Sequence, residues 1–142
     1  MHDMSEHQDL PLCYLLYRVV TMLRPQMNSE LAPIGLGLPE FVCLRSLAME
    51  PGQSSAELAR DSNVSPQAMN LVLRTLQDIG AVSRPETVSS GRALPARLTA
   101  KGKDLLERAE ATMQIADDDL LSALTPEERH EFKRLLHVVG NQ

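Results

Sequence analysis

The stretch Ser65–Gly80 constrains this chain more than any other, because both of its ends are chemically specified. Ser65 offers an oxygen to the first free backbone N–H groups of a helix. Pro66 sits where its missing N–H costs nothing, and Gly80 accepts the left-handed conformation that stops a helix. Between them Met69, Val72, Leu73, Leu76 and Ile79 share one face at helical spacing, and Gln67, Asn70, Leu71, Arg74 and Thr75 share another. The first face belongs to a core. The second, on a short helix capped at both ends, implies a partner that accepts and donates hydrogen bonds.

Just upstream, Ser54 to Glu57 forms a capping box in which Ser54 and Glu57 satisfy each other's orphan N–H groups. Leu58 and Ala59 face inward on this short helix, and Asp61, Ser62 and Asn63 break it before Val64 and the Ser65 cap. Two short capped helices joined by a tight polar turn make a helix-turn-helix pattern. After Gly80 the period changes to that of strands: residues 81–84 and 93–98 read as a β-hairpin through Ser89, Ser90, Gly91 and Arg92, with Pro95 confining its strand to an edge. A basic hairpin directly behind a helix-turn-helix is a wing.

The flanks are apolar and helical. From Leu10 to about Met27, Leu12, Leu16, Val19 and Leu23 form one stripe, with Cys13, Tyr17, Val20 and Met27 beside it. A helix with two apolar stripes packs against two things, here its own domain and a second copy of the chain. Pro25 should kink or end this helix. Pro33 to Gly37 is a breaker-rich connection, and Pro39 opens a second helix with Phe41, Val42, Leu44, Leu47 and Ala48 apolar. Thr99 caps a long helix in which Leu105 or Leu106, Ala109, Met113, Ala116, Leu120 and Leu124 approach a heptad seam. Thr125 to Glu128 starts a last amphipathic helix carrying Phe132, Leu135, Leu136 and Val139. The expected fold is mainly α with a small β-hairpin wing, a winged helix-turn-helix plus N- and C-terminal dimerisation helices. It forms a single domain over 1–142, with dimerisation helices at about 8–30 and 100–142 and a DNA-binding lobe at about 38–99.

A chain of 142 residues is one domain by the usual prior. No apolar run approaches a membrane span, and the polar, acidic start lacks the basic region of a signal peptide, which points to the cytoplasm. Two cysteines, Cys13 and Cys43, are too few for a disulfide scaffold or a zinc site. The net charge of −5 is unevenly spread: Arg60, Arg74, Arg84, Arg92, Arg97, Lys101 and Lys103 stand against Asp61, Asp78 and Glu86, so the middle of the chain is locally positive. Phosphate binding depends on the field at the contact face and not on the whole-chain total. His130 and His137 are too far apart for a metal site, and no phosphate loop, nucleophile elbow or zincin pair is present, so the chain reads as neither an enzyme nor a cofactor protein.

In order and spacing the pieces resemble the MarR family of bacterial winged helix-turn-helix regulators over nearly the whole chain. They are Leu36 to Phe41 at the second helix, Ser54 to Ala59, Val64 to Ala68, Leu76 to Arg84 leading into the wing, Gly91 and Arg92 at its tip, and Leu98 to Gly102 leaving it. The resemblance implies a homodimer joined through its first and last helices, binding pseudo-palindromic operators as a repressor relieved by a small anionic aromatic compound or by cysteine oxidation. Asn70 and Leu71 stand where family members commonly carry Thr-Arg, and Ser90 stands where an Asp often precedes the wing-tip Arg.

On this reading Gln67 and Asn70 enter the major groove, where an amide pairs bidentately with adenine. Arg74 clamps phosphate, and Ser55 and Ser65 meet phosphates through hydroxyls or helix N-termini. Arg92 reaches a minor groove, and Arg84 and Arg97 flank the hairpin, touching DNA backbone or pairing with Asp78 and Glu86. Tyr17 and Arg18 line a pocket for an aromatic carboxylate between the dimer helices and the DNA-binding lobe, or Arg18 bridges two subunits. Leu12 to Tyr17 also resembles the start of the first helix in the peroxide-sensing OhrR branch, which makes Cys13 a redox candidate. The tyrosines that branch places around its second helix are replaced by Leu38 and Phe41, and burial of Cys13 as a structural residue is the favoured expectation; Cys43 belongs to the core. A rival from another class is a winged-helix protein-interaction module without DNA binding.

Overall fold

In the computed structural model, residues 9–85 and 95–142 are described. The elements in chain order are α1 (Leu12–Leu31), α2 (Leu38–Met49), α3 (Ser55–Ser62), α4 (Pro66–Asp78), β1 (Val82–Ser83), β2 (Arg97–Leu98), α5 (Ala100–Leu120) and α6 (Pro126–Gly140), with a short 3-10 turn at Ala32–Ile34. The chain divides into two compact units. One takes the chain up to Met27 together with Met113–Gln142, and the other is Asn28–Thr112.

The second unit is the winged helix-turn-helix. Local chemistry sets its boundaries: Ser54 Oγ accepts from the Glu57 N–H at 3.1 Å to start α3, and Ser65 Oγ accepts from the Ala68 N–H at 3.1 Å to start α4. Asn63, with φ of 53°, ends α3 in the left-handed region, and Gly80 follows α4 with φ of 79°. α4 packs on α2 and α3, and β2 lies against α2. Leu44, Leu47, Leu58, Leu73 and Leu76 are fully buried, each contributing roughly 1.5–3 kcal/mol by leaving water. β1 and β2 are antiparallel with Val82 opposite Leu98 and Ser83 opposite Arg97. An isolated bridge ties Gln53 to Ala96, so the strand base is also stitched to the chain just before α3. Among the described residues the paired strands are Val82–Ser83 and Arg97–Leu98, and the expected loop, with Ala93, Leu94 and Arg92, lies outside the described residues.

A tight junction joins the end of α4 to the start of α5. The Thr99 N–H donates to the Ala81 carbonyl at 3.0 Å, the Thr99 hydroxyl donates to the Gly80 carbonyl, and the Gly102 N–H donates to Thr99 Oγ1 at 3.0 Å. One side chain therefore caps α5 and holds the residues that terminate α4. Gly102 permits the approach: a Cβ there would stand 2.0 Å from the Ala81 carbonyl oxygen.

In the first unit, Thr125 and Glu128 complete a reciprocal capping box at α6. Polar bonds link its helices: Gln26 Nε2 to Asp119 at 3.1 Å, Lys133 to Asp117 at 2.8 Å and Arg129 to Asp118 at 3.4 Å. Met113 and Ala116 are buried. Leu12, Tyr14, Leu16, Tyr17 and Val20 on α1 and Leu135, Leu136, Val138 and Val139 on α6 remain exposed in the single chain. Pro25, expected to kink or end α1, stands inside it, and the helix continues to Leu31. One expectation is corrected here. Cys13 is exposed on the first turn of α1 and not buried, because the apolar stripe it belongs to is left uncovered by its own chain.

Candidate nucleic-acid interface

The faces of α4 are sharply divided. Met69, Leu73 and Leu76 are buried, and Gln67, Asn70, Leu71 and Arg74 are exposed on the other side. These four side chains line one shallow depression of about 400 Å³. Burial of the first stripe against α2 and α3 fixes the rotation of the helix, so the second set must face outward. No carboxylate lines the depression, which leaves the Arg74 guanidinium the charge that dominates it.

The remaining sequence-identified residues fall into separate groups. Ser65 caps α4 through its Oγ, and Ser55 is the half-buried first residue of α3. Both lie at helix N-termini, where backbone N–H groups favour anions. Arg84 is bound to α4, donating from Nε and Nη2 to Gln77 Oε1 at 3.3 and 2.9 Å, so its described partner is Gln77 and not Asp78. That pair fixes the guanidinium beside the C-terminal half of α4.

Arg97 lies elsewhere. Its guanidinium packs over Gly52, with Nη2 3.1 Å from where a Cβ of residue 52 would be. With Leu47, Leu98, Lys103, Leu106 and Glu107 it lines a half-open cleft of about 530 Å³ within the second unit. Glu110, at the same cleft, is held by Arg45 at 2.9 Å. The Arg97 and Lys103 cations, the Glu107 and Glu110 carboxylates and three leucine side chains give this cleft both charged and apolar walls. Sequence reading missed this site because its walls come from α2, β2 and α5; the one local signal was Lys103 one turn before Leu106 and Glu107 on α5.

Tyr17, 70% exposed, and Arg18 lie on α1 and are not among the residues lining this cleft. Cys43 is 1% exposed, and burial first, then the charge of Glu40, pushes its thiol up to about 12, with Arg84 acting the other way. It is an inert core residue at neutral pH. Among the described residues no His, Cys, Asp and Glu side chains converge in a metal-binding group. No single helix among them is long and apolar enough to cross a membrane.

Comparison with known proteins agrees with this geometry. Residues 36–94 match the MarR family model. The HTH-type transcriptional repressor Rv2887 of Mycobacterium tuberculosis is 59% identical over 133 residues, which span 94% of this chain and 96% of that one. The crystal structure of Rv2887 in complex with DNA has a TM-score of 0.80 at 54% identity, covering 94% of this chain and all of the other. The structure of Rv2887 in complex with salicylic acid has a TM-score of 0.77 at 58% identity, covering 94% of this chain and 98% of the other. The fold is shared more widely: apo MarR of E. coli has a TM-score of 0.78 at 24% identity, covering 92% of this chain and 97% of its own. With two capped helices, a wing base stitched to both and a relative this similar over almost its full length, the chain belongs to the MarR family of helix-turn-helix regulators.

Proposed function

We propose that the chain is a homodimeric, cytoplasmic transcriptional repressor that binds an inverted-repeat operator through α4 and is released by a small aromatic acid. The observation that carries this reading is the outer face of α4, where Gln67, Asn70, Leu71 and Arg74 are exposed together opposite a buried stripe. Gln67 and Asn70 read base edges, Arg74 and Arg84 hold phosphates, Ser55 and Ser65 bind phosphate at helix N-termini, and Arg92 serves the wing. Rv2887, similar over nearly the whole chain, has been solved in complex with DNA, which supports the assignment. The exposed apolar residues of α1 and α6 support a second copy of the chain as partner. Two recognition helices then meet successive major grooves roughly 34–36 Å apart. A gel shift on the DNA upstream of the protein's own gene, titrated with salt, tests this: retardation should weaken steeply as salt rises, and no retardation or salt-insensitive binding would overturn it.

For the effector we propose the cleft lined by Arg97 and Lys103, whose volume lies in the range of small-ligand pockets. The guanidinium and ammonium take the carboxylate while Leu47, Leu98 and Leu106 cover the ring. Complexes of Rv2887 with salicylic and p-aminosalicylic acids support this ligand class. Tyr17 and Arg18 are the alternative holders. Calorimetric titration with salicylate separates them: Lys103→Ala should weaken binding several-fold and Arg18→Ala should leave it intact. Peroxide sensing through Cys13 rests on that thiol's exposure, and a Cys13→Ser variant that still releases DNA on peroxide treatment would remove it.

A further inference from the structure

Leu71 is the unexplained member of the α4 outer face. It is 64% exposed, on a helix whose opposite face is buried through Met69, Leu73 and Leu76, and it makes no contribution to the core. On a helix of 3.6 residues per turn it stands about 40° round from Gln67 and about 60° from Arg74, on the side away from Asn70. An exposed leucine flanked by an amide and a guanidinium faces whatever those two groups face. In a major groove the apolar group presented is the C5-methyl of thymine, and the groups that pair with Gln and Asn are the N6 and N7 of adenine.

Resting on the DNA reading above, we propose that Leu71 is a specificity-determining residue that packs on a thymine methyl, beside an adenine read by Gln67 or Asn70. Each operator half-site then contains a thymine whose methyl is required, and Arg74 anchors the register through phosphate. A leucine side chain donates and accepts no hydrogen bonds, so it cannot distinguish base edges except by an apolar contact. The selectivity it confers is for one methyl group.

The experiment uses the full-length wild-type chain to enrich a duplex from a random-sequence library. Each thymine of the enriched duplex is then replaced by deoxyuridine, which removes the methyl and nothing else. Wild type should lose about fourfold in affinity when one critical thymine is replaced, and roughly fifteenfold for the symmetric pair, as expected for losing one buried methyl per half-site. Leu71→Ala should bind the critical deoxyuridine duplex and its thymine parent equally, and Leu71→Met should keep the discrimination. Equal wild-type binding to every deoxyuridine duplex, or a Leu71→Ala variant that still discriminates, would overturn the assignment. Failure to enrich any duplex would instead overturn the DNA reading on which it stands.

Discussion

Gly102→Ala should destabilise this protein even though the same change in a helix normally stabilises it. Gly102 is in the first turn of α5, and an added Cβ would lie 2.0 Å from the Ala81 carbonyl oxygen and 3.0 Å from the Ala81 carbonyl carbon. Carbon and oxygen settle at about 3.3 Å or more, so the α5 start must move away from Ala81 by over about 1 Å. That same oxygen accepts the Thr99 N–H, and Thr99 Oγ1 accepts the Gly102 N–H, both at 3.0 Å, so the movement strains two bonds. Overpacking costs about 1–3 kcal/mol and each weakened hydrogen bond about 1, against about 1 kcal/mol regained from helix propensity. The expected net loss is about 3 kcal/mol, or roughly 10 °C in melting temperature for a chain of this size. Thermal unfolding followed by circular dichroism at one fixed protein concentration measures it, since dimer formation links stability to concentration. Gly140→Ala is the control: nothing lies within 4 Å of its added Cβ, and its melting point should hold or rise. A Gly102→Ala protein melting within about 2 °C of wild type, or above it, would refute the argument.

Further outcomes follow from other sites. Cys43 has its pKa raised in the folded state, so its contribution to stability is complete below pH 9 and is lost as pH rises toward about 12; melting scans should show an alkaline decline that Cys43→Ala reduces. Labelling with a thiol reagent at pH 8 should modify Cys43 only after denaturation, since its side chain is buried within its own chain. Arg74→Ala, present twice in a dimer, should flatten the slope of log affinity against log salt by about 2 without changing which sequence is preferred. Thr125→Ala removes half of the reciprocal cap at α6 and should cost about 1 kcal/mol, read as a fall in the urea midpoint.

What the sequence disclosed and what it hid divide by range. The caps at Ser54, Ser65 and Thr125 were legible because each satisfies an N–H three residues away. Gly80 was legible as a stop because few other residues take its φ at low cost. The α4 faces were legible because a 3.6-residue period sorts them without knowledge of the neighbours. Pro25 left a kink and an end both open, because its penalty is local and does not say whether the chain beyond it, here up to the buried Leu31, stays helical. Cys13 misled because periodicity marks a stripe as apolar without saying which chain covers it. The Gln53 to Ala96 bridge, the approach of Gly102 to Ala81 and the cleft over Gly52 each join segments distant along the chain, and no periodic pattern carries such pairings.

Those non-local pairings bear on how an effector in the proposed cleft would act on α4. The cleft is lined by Arg97 and Leu98 of β2 and by Lys103 and Leu106 of α5. Thr99, between these two sets, donates through its N–H and hydroxyl to the carbonyls of Ala81 and Gly80 that follow α4, and its Oγ1 accepts the Gly102 N–H. A ligand that draws Arg97 and Lys103 together therefore pulls on the two segments flanking Thr99, and α4 is the next element in that chain of hydrogen bonds. Ligand binding shifts a conformational equilibrium only by its differential affinity for the two states, and a full switch from 1:99 to 99:1 needs about 5.5 kcal/mol. One carboxylate held by two cations, counted once per subunit of a dimer, supplies an energy of that order only if both cations move on binding. Thr99→Val keeps the side-chain shape and removes the hydroxyl, so it should leave salicylate affinity within about twofold while weakening salicylate-induced release of DNA by about tenfold, on the scale of 1–2 kcal/mol for the lost link. Unchanged release in that variant would place the coupling outside the Thr99 junction.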